Sequence, residues 1–311
     1  MIADEKKSLD ITVLMGGPSS EREISLITGK AISDGLIHAG HKVTQADINP
    51  NDTTALDRKD ADLFFIALHG EFGESGEVQQ LCENRGLKYT GSDPKASQLG
   101  MDKAASKQIF KRAGLSTADF IIVEQYNPAD KTRAQLESFP LPCVAKPVAA
   151  GSSVDVFLCK TREELTRAAD LLLDTYDRAM IEKFVAGREV TVGILGCEPL
   201  PLIEIRPDRT FYDHDAKYAD TSETKFVFDH GIAPEIVEVC QEQALVAYHA
   251  LGCRDLGRVD FIIDEHNVPQ VLEINTIPGF TSHSLVPKAA AKVGISFPAL
   301  VDKIARYALR R

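Results

Sequence analysis

The sequence predicts an α/β protein, with α+β character in parts, built from two or three domains. Strand-like and helix-like segments alternate over the first hundred residues, a pattern typical of a parallel sheet. Strand patterns are denser farther along, and a chain of 311 residues exceeds the length that one core usually serves. We therefore expect an N-terminal α/β domain at residues 1–97, followed by domains at 98–186 and 187–311.

The N-terminal domain is predicted to open with a buried strand at Ile11 to Met15 that ends at Gly16-Gly17. Ser20 with Glu23 three positions later predicts a capping box, which starts a helix that runs to about Leu36. Ligands of parallel sheets gather at the carboxyl ends of strands, where the two glycines lie, as does His69-Gly70 farther along. Further strands are expected at His41 to Ile48 and Leu63 to Leu68, with a helix near Val78 to Arg85.

The rest of the chain combines both kinds of element. We predict helices at Met101 to Ala113, Arg162 to Leu173, Pro234 to Leu251 and Pro298 to Leu309, and strands at Ala118 to Glu124, Cys143 to Lys146, Val154 to Cys159 and Arg178 to Val185.

The composition excludes several classes of protein. A formal charge of −11 argues against a general binder of nucleic acid or anionic membranes, because phosphate contacts require a basic surface. The N-terminal sequence lacks the apolar core of a secretory signal, and apolar runs stay shorter than the roughly 20 residues that span a bilayer. The six cysteines are scattered, with no CxxC pair. We expect a cytoplasmic protein whose cysteines are reduced and buried.

The most informative stretch is a predicted antiparallel hairpin near the C-terminus. Its strands, Gly257 to Asp264 and Val271 to Thr276, flank the polar turn Glu265-His266-Asn267. A turn centred between its last two residues places Asp260 opposite Glu273. The opposite face of the hairpin is expected to be core and carries Val259, Phe261, Leu272 and Ile274.

The polar face of this hairpin is a candidate metal site. Asp260 and Glu273 would have Cβ atoms roughly 4.5–5.5 Å apart, and Arg258 and Asn275 share their face. Like charges directly opposite destabilise a sheet, and a divalent cation with oxygen ligands would compensate them. From the hairpin alone, a solvated face on which Arg258 neutralises the carboxylates is an equal alternative.

Two lysines and a loop of small residues suggest a phosphate site. Lys103 lies on a predicted helix, Lys146 on a predicted strand, and the loop Ala149 to Ser153 follows that strand. Such a loop offers backbone N–H groups and hydroxyls to phosphates, and lysines add charge. Alone this is weak, because surface lysines and Gly-Ser loops are common.

Three glutamates and a strand edge are further candidates. The edge Ile181 to Val185 would hydrogen-bond adenine through its main chain, while Glu189 meets ribose hydroxyls; for Glu182 and Glu189 the alternative is ordinary surface charge. Glu21, in the first turn of a helix, either complements the helix dipole or anchors a substrate ammonium group.

The last candidates are three residues that follow the hairpin and one residue in an earlier polar segment. Gly279 can bring a backbone N–H close to a ligand. Ser284 precedes a helical segment and serves equally as an N-cap. For His283 a structural role is favoured, and Tyr218, in the polar segment 211–224, would serve equally as a packing residue.

A set of short motifs runs in order from about Ile11 to the end of the chain. They are Gly16-Gly17, Ser20 to Glu23, Leu68 to Gly70, Gly73 to Gly76, Tyr89 to Ser92, Met101 to Lys103, Lys146-Pro147, Gly151 to Val154, Lys217-Tyr218, Gly257 to Asp260, Glu273 to Thr276 and Pro278-Gly279. This set resembles the D-alanine–D-alanine ligases of the ATP-grasp superfamily. The resemblance implies an ATP-grasp fold and ATP-dependent joining of two D-alanines, through an acyl phosphate, to make a peptidoglycan precursor.

The resemblance also assigns roles to individual residues. It implies that the ATP-binding residues are Lys103, Lys146, Glu182, Phe184, Val185, Glu189 and Lys217. It implies that two Mg²⁺ ions, with Mn²⁺ as an alternative, are bound by Asp260, Glu273 and Asn275. It implies that the substrates contact Glu21, His69, Arg258, Gly279, Ser284 and Leu285, and that the catalytic residues are Glu21, Ser152, Tyr218, Arg258, Gly279 and Ser284.

Within these sets the resemblance implies specific contacts. Glu21 binds the first ammonium group and is linked through Ser152 to Tyr218 on a closing loop. Arg258 and the Gly279 N–H stabilise the oxyanion, and Ser284 binds the second carboxylate.

Two positions depart from the family pattern. Ala150 stands where most members have an acidic residue, and Asp155 stands where they have glycine. These departures put the hydrogen bonding of the phosphate loop in doubt, and not the class of activity.

Other functions remain as alternatives. A ligase that uses D-lactate or D-serine as second substrate is the nearest, and an ATP-grasp protein that binds nucleotide without ligase activity is more distant. A nicotinamide-dependent dehydrogenase is disfavoured because the spacing G-x-G-x-x-G is missing. The family resemblance further implies a homodimer.

Overall fold

A computed structural model describes residues 7–151, 154–207, 224–281 and 284–310 of the chain. The strands of this described part form three sheets, one near each end of the chain and one between them. Their members fall within the predicted ranges 1–97, 98–186 and 187–311, and the division into domains stays a prediction.

The first sheet is parallel, with its three strands in the order β2-β1-β3. The prediction of a parallel N-terminal α/β unit is thereby confirmed. Its strands are β1 (Asp10–Gly16), β2 (Lys42–Ile48) and β3 (Leu63–Ile66), and its helices are α1 (Arg22–His38), a 3₁₀ turn (Thr54–Asp57), the single turn α2 (Glu71–Glu74) and α3 (Glu77–Asn84).

The start of α1 differs from the prediction. The capping box of Ser20 and Glu23 is wrong, because the helix begins at Arg22 and Glu21 takes the N-cap position. The hydroxyl that accepts from this turn is that of Ser19, 3.2 Å from Glu21 N. Ser19 in turn donates to His69 O at 2.7 Å, so the turn that precedes α1 is bonded to the segment that follows β3.

The second sheet is antiparallel, in the order β4-β7-β5-β6. One face packs on α6 and α7 around a core that includes Val123, Leu165 and Ile181. The strands are β4 (Phe120–Glu124), β5 (Cys143–Pro147), β6 (Phe157–Cys159) and β7 (Arg178–Lys183), and the helices are α6 (Ala129–Ser138) and α7 (Arg162–Thr175).

Two predicted elements have other limits. The helix expected at Met101 to Ala113 is two helices, α4 (Pro94–Met101) and α5 (Lys103–Arg112). Asp102 separates them because its backbone is extended and its carboxylate accepts from Ala105 N at 2.8 Å, which caps α5. The strand expected from Val154 starts at Phe157, after a turn.

The third sheet joins β11, β10, β8, β12 and β13 in that order, and β9 pairs with β8. Helix α8 covers one face, over a core that includes Val190, Tyr248 and Phe261. The strands are β8 (Gly187–Leu195), β9 (Glu198–Pro199), β10 (Ile203–Arg206), β11 (Lys225–Val227), β12 (Leu256–Asp264) and β13 (Pro269–Asn275), and the helices are α8 (Pro234–Leu251), α9 (Leu285–Lys292) and α10 (Phe297–Leu309).

The predicted hairpin is formed by β12 and β13. Asp260 pairs with Glu273 and Arg258 with Asn275, as predicted. The register shifts after Asp260, where a bulge sets Val271 instead of Leu272 opposite Phe261. Placing Leu272 in the core was therefore wrong, because Val271 is fully buried there and Leu272 is partly exposed.

The C-terminal helices complete the core of the first sheet. Ile11 and Val13 of β1 share one cluster with Val301 and Ile304 of α10. A further contact joins the N-terminal and C-terminal parts of the chain, where Arg254, just before β12, donates to Gly91 O at 2.9 Å. Both ends of the chain therefore pack into one body.

The expectation of buried cysteines is correct for five of the six and wrong for Cys197. All six cysteines are free, and five are buried while Cys197 is exposed. None of the helices in the described segments is long and apolar enough to cross a membrane.

Candidate active site

The polar face of the hairpin holds an ion pair between buried Asp260 and half-buried Arg258. Arg258 donates to both oxygens of Asp260, from Nε at 2.9 Å and from Nη2 at 2.7 Å. Thr191 on β8 donates to the same carboxylate at 2.5 Å. Asp260 pairs with Thr191 across β12 and β8, which explains why the hydroxyl and the carboxylate share a face.

Lys103 connects the hairpin to the predicted phosphate loop. Its ammonium nitrogen lies 3.2 Å from Glu273 Oε2 and donates to Ala150 O at 2.7 Å. Lys103 N also donates to Val148 O at 3.0 Å. The start of α5 is thus bound to the loop through the backbone and side chain of Lys103. Its ammonium group contacts both the hairpin and the phosphate loop.

The donor set fits a cation that is shared with phosphates. Within the described segments, no three His, Cys, Asp or Glu side chains cluster at one place. The hairpin instead offers the carboxylates of Asp260 and Glu273 and the carboxamide of Asn275, whose Oδ1 accepts from Ile277 N at 2.9 Å and keeps a second lone pair. Both carboxylates already face cationic groups, which are the partners that a bound cation would replace. Mg²⁺ is commonly held by one or two carboxylates plus substrate phosphates and water.

Lys146 and Glu182 lie on one face of the central sheet. Lys146 Nζ is 3.3 Å from Glu182 Oε1, and the other carboxylate oxygen is 2.8 Å from Lys107 Nζ. Glu182 is 4% exposed, so it is not the ordinary surface charge of the alternative. Burial alone would raise the pKa of Glu182, but the two lysines together lower it below its usual value.

The predicted adenine and ribose contacts lie between the two later sheets. Phe184 and Val185 are half-buried in the link from β7 to β8. Phe184 N already donates to Pro142 O at 3.2 Å. Glu189 pairs with Ile262 on β12, two positions along β8 from Thr191, so it shares the polar sheet face with Asp260.

Glu21 lies where the first sheet meets the phosphate loop. A Cβ on Gly151 would lie 3.4 Å from Glu21 Oε2, and one on Gly70 would lie 3.1 Å from the same atom. Gly70 has φ +73°, and its Cβ would also meet Ser19 Oγ at 2.7 Å, so glycine is required there. The carboxylate therefore lies against two glycine backbones, where a side chain at either position would crowd it.

His69 is 5% exposed, and both ring nitrogens have partners. Nε2 lies 3.1 Å from Thr28 Oγ1, and Nδ1 lies 3.4 Å from Glu74 Oε1. Glu74 also accepts from Gly70 N at 3.2 Å. The imidazole of His69 therefore supports the glycine turn beside Glu21. The main-chain carbonyl of His69 accepts the hydrogen bond from Ser19.

Gly279 and Ser284 lie together after the hairpin. A Cβ on Gly279 would approach Ser284 Oγ to 3.0 Å. Ser284 takes the N-cap position of α9, but its hydroxyl accepts from Thr281 N at 2.9 Å instead of from the helix. Leu285, the first residue of α9, packs against the core shared with the first sheet.

The two departures from the family pattern are both accommodated. The carbonyl of Ala150 is the acceptor for Lys103. Asp155 has φ +54°, a conformation that suits glycine and that Asp tolerates better than most residues. Its carboxylate accepts from Tyr176 at 2.7 Å, and burial with this hydrogen bond raises the pKa of Tyr176 to about 12. Asp155 therefore has a hydrogen-bond partner on the segment after α7.

Four predicted residues lie outside the described part of the chain: Ser152, Lys217, Tyr218 and His283. Two residues that contact the candidate site were missed by the sequence analysis, Thr191 and Lys107. Each had a weak signal in the sequence. Thr191 is a threonine in an apolar strand, and Lys107 lies one helical turn after Lys103.

Comparison with known proteins identifies the family. The family model described as the C-terminus of D-ala D-ala ligase matches residues 109–306. A D-alanine–D-alanine ligase from Trichlorobacter lovleyi is 42% identical, over 98% of this chain and 96% of that protein. One from Desulforudis audaxviator is 43% identical, over 97% and 99%.

The chain belongs to the D-alanine–D-alanine ligase family.

Solved structures of ligases agree with this assignment. The Bacillus anthracis D-alanine–D-alanine ligase complexed with ATP aligns with a TM-score of 0.83 at 31% identity, over 97% of this chain and 98% of that one. The VanG D-Ala:D-Ser ligase from Enterococcus faecalis aligns with a TM-score of 0.85 at 27% identity, over 97% and 100%. The predictions of the ATP-grasp fold, the family and the ligase class are confirmed.

Proposed function

We propose that this ligase joins two D-alanine molecules with the energy of ATP, to supply a peptidoglycan precursor. The observation that carries the proposal is the near full-length match to proteins named D-alanine–D-alanine ligases at 42–43% identity. The side-chain arrangement supports it, because the described residues supply cations and backbone for phosphates and a carboxylate for an ammonium group.

The first half-reaction activates the carboxylate of the first D-alanine, which is a poor electrophile. A carboxylate oxygen of the first D-alanine attacks the γ-phosphorus of ATP, which gives an acyl phosphate and ADP. Lys103 and Lys146 neutralise charge on the phosphates, and Glu21 holds the ammonium group of the first D-alanine. Phosphoryl transfer depends mainly on such positioning and on electrostatic stabilisation.

The second half-reaction forms the peptide bond. The free amine of the second D-alanine attacks the acyl carbon, and inorganic phosphate leaves. The Gly279 N–H and Arg258 donate to the oxyanion, with Ser284 binding the carboxylate of the incoming D-alanine. Losing one oxyanion donor typically lowers the rate by about 10²–10³.

Two Mg²⁺ ions are proposed at the hairpin, held by Asp260, Glu273 and Asn275, with Mn²⁺ as an alternative. A bound divalent cation would neutralise charge on the transferring phosphoryl group. A cation at Asp260 would compete with Arg258 for that carboxylate, and displacing Arg258 would free its guanidinium for the oxyanion. The roles of Ser152, Lys217 and Tyr218, the predicted homodimer and the cytoplasmic location stay predictions.

One assay tests this function. Purified protein is incubated with ATP, Mg²⁺ and D-alanine, and ADP and dipeptide are measured. We expect ADP release that depends on D-alanine, with one dipeptide per ADP.

The nearest alternative is tested in the same assay. The structural likeness to the D-Ala:D-Ser ligase motivates competition with D-serine, and D-lactate is added in a parallel reaction. A mixed product dominated by D-serine or D-lactate would reassign the second substrate. Absence of D-alanine-dependent ADP would contradict the ligase function itself.

A further inference from the structure

Lys107 has a fully buried ammonium group that the proposed mechanism does not use. Its side chain is 0% exposed, and its Nζ lies 2.8 Å from Glu182 Oε2. It also donates to Thr117 Oγ1 at 2.5 Å and lies 3.4 Å from Val271 O on β13. One nitrogen thus contacts the central sheet and the C-terminal sheet.

Three ionisable groups form this buried set: Lys107, Glu182 and Lys146. Their formal charges sum to one positive charge, because two lysines share one carboxylate. Desolvation lowers the pKa of Lys107 to about 8, although Glu182 opposes this shift. Buried charges carry a large desolvation penalty, and well-packed apolar residues are often as stable in their place. A purely structural site would gain little from such a set.

The charge balance explains what Lys107 contributes. Lys146 is 3.3 Å from one oxygen of Glu182, while Lys107 is 2.8 Å from the other. Without Lys107, Lys146 would be the single close cation of the buried carboxylate among the described residues. A buried carboxylate holds its last counter-charge strongly because the medium screens weakly. Lys146 would then be drawn away from a phosphate.

We propose that Lys107 is a positioning residue for nucleotide binding, which balances Glu182 so that Lys146 remains available to an ATP phosphate. This inference rests on the proposed function in one respect, the assignment of Lys146 to ATP. Lys107 does not touch the nucleotide in this scheme. It acts through Glu182, and its contact with Val271 O fixes β13 relative to β7, so the two sheets beside the nucleotide keep their spacing.

The test is nucleotide affinity measured without D-alanine, so a failure of ligase activity leaves its outcome unaffected. ATP is titrated with Mg²⁺ into wild type, Lys107→Met, Glu182→Gln and the double variant, by calorimetry. We expect Lys107→Met to raise the Kd for ATP about 10- to 100-fold, as for the loss of one charge-assisted hydrogen bond. Lys111→Met is the matched control, because Lys111 lies on the same helix in an exposed ion pair with Asp119.

The diagnostic result is that Glu182→Gln has opposite effects on ATP affinity in the Lys107→Met variant and in wild type. In the Lys107→Met background, Glu182→Gln removes the carboxylate that traps Lys146, so it should tighten ATP binding at least about threefold. In wild type the same substitution should weaken ATP binding, because the family resemblance also places Glu182 among the ATP contacts. A residue that merely fills space would give independent effects, with no restoration.

Two outcomes would overturn the inference. One is a folded Lys107→Met variant that binds ATP like the Lys111→Met control. The other is a Glu182→Gln substitution that fails to restore any affinity to Lys107→Met. If Lys107→Met does not fold, Lys107→Gln keeps a polar end for Thr117 without the charge, and the same loss and restoration are required of it.

Discussion

Neutralising Asp260 is the sharpest test of the candidate metal site. Asp260→Asn keeps the shape of the side chain and removes its negative charge. In the structure the carboxylate accepts two hydrogen bonds from Arg258 and one from Thr191. In the proposed function it also binds a cation with Glu273. The substitution should therefore change both the stability of the free protein and its response to ligand.

The structure sets the size of the first effect. Asparagine offers one oxygen, so one donor of Arg258 loses its acceptor and meets an NH₂ group instead. Hydrogen bonds to charged groups contribute about 1.5–3 kcal/mol each. At about 2 °C per kcal/mol for a chain of this size, the Tm of the free protein should fall by about 3–6 °C.

The second effect is on ligand binding and turnover. A ligand at 100 times its Kd stabilises the folded state by about 2.7 kcal/mol, which corresponds to a rise in Tm of about 5 °C. We expect wild type to show such a rise with ATP and Mg²⁺. Asp260→Asn should lose most of it, and turnover should fall at least about 10²-fold.

The assay is thermal unfolding with and without ATP and Mg²⁺, followed by ADP release. Glu265→Gln is the control, because it removes one negative charge at the exposed tip of the same hairpin, where its carboxylate is 82% exposed. It should leave Tm, ligand response and turnover close to wild type. A wild-type ligand response and wild-type turnover in Asp260→Asn would refute a metal role for this face.

Three further changes test other parts of the molecule. Gly279→Ala places a Cβ 3.0 Å from Ser284 Oγ and should raise the KM of the second D-alanine about tenfold in steady-state kinetics, with the KM of ATP unchanged. Arg254→Met removes donors to Tyr89 and Gly91, at 2.6 and 2.9 Å, and should lower the free energy of unfolding by about 1–3 kcal/mol in urea titrations. Burial would raise the pKa of Glu204, but two arginines bonded to it at 2.7 Å hold that pKa below its usual value. The stability it confers is therefore present above about pH 4.3 and is lost as pH falls through its folded pKa, so Glu204→Gln should lower Tm at pH 7, and its difference from wild type should shrink as the pH falls below about 4.3.

The hairpin shows how far sequence reasoning reaches. Alternation of side chains and a polar turn predicted the pairs of Asp260 with Glu273 and Arg258 with Asn275. The predicted register is wrong after Asp260, where β13 has a bulge of one extra residue. The bulge destabilises the hairpin little, because an apolar residue still faces the core. Val271 and Leu272 are both apolar, so the pattern cannot distinguish which of them enters the core.

Other features depend on contacts between distant segments. The capping hydroxyl at α1 is that of Ser19 because His69, fifty residues away, accepts from it. Lys107 looks like any lysine on a helix until Glu182 and Val271 surround it. The local sequence pattern predicts strands, helices and motif residues, whereas partners that tertiary packing brings together leave at most weak signals in a single sequence.

The shared core of β1 and α10 has a consequence for the order of synthesis. Ile11 and Val13 leave the ribosome long before Val301 and Ile304, which cover them. The parallel sheet therefore stays partly uncovered while the segments between β3 and α10 are made. A nascent protein that stops before α10 should expose this apolar surface, and chaperones or proteases would meet it there first.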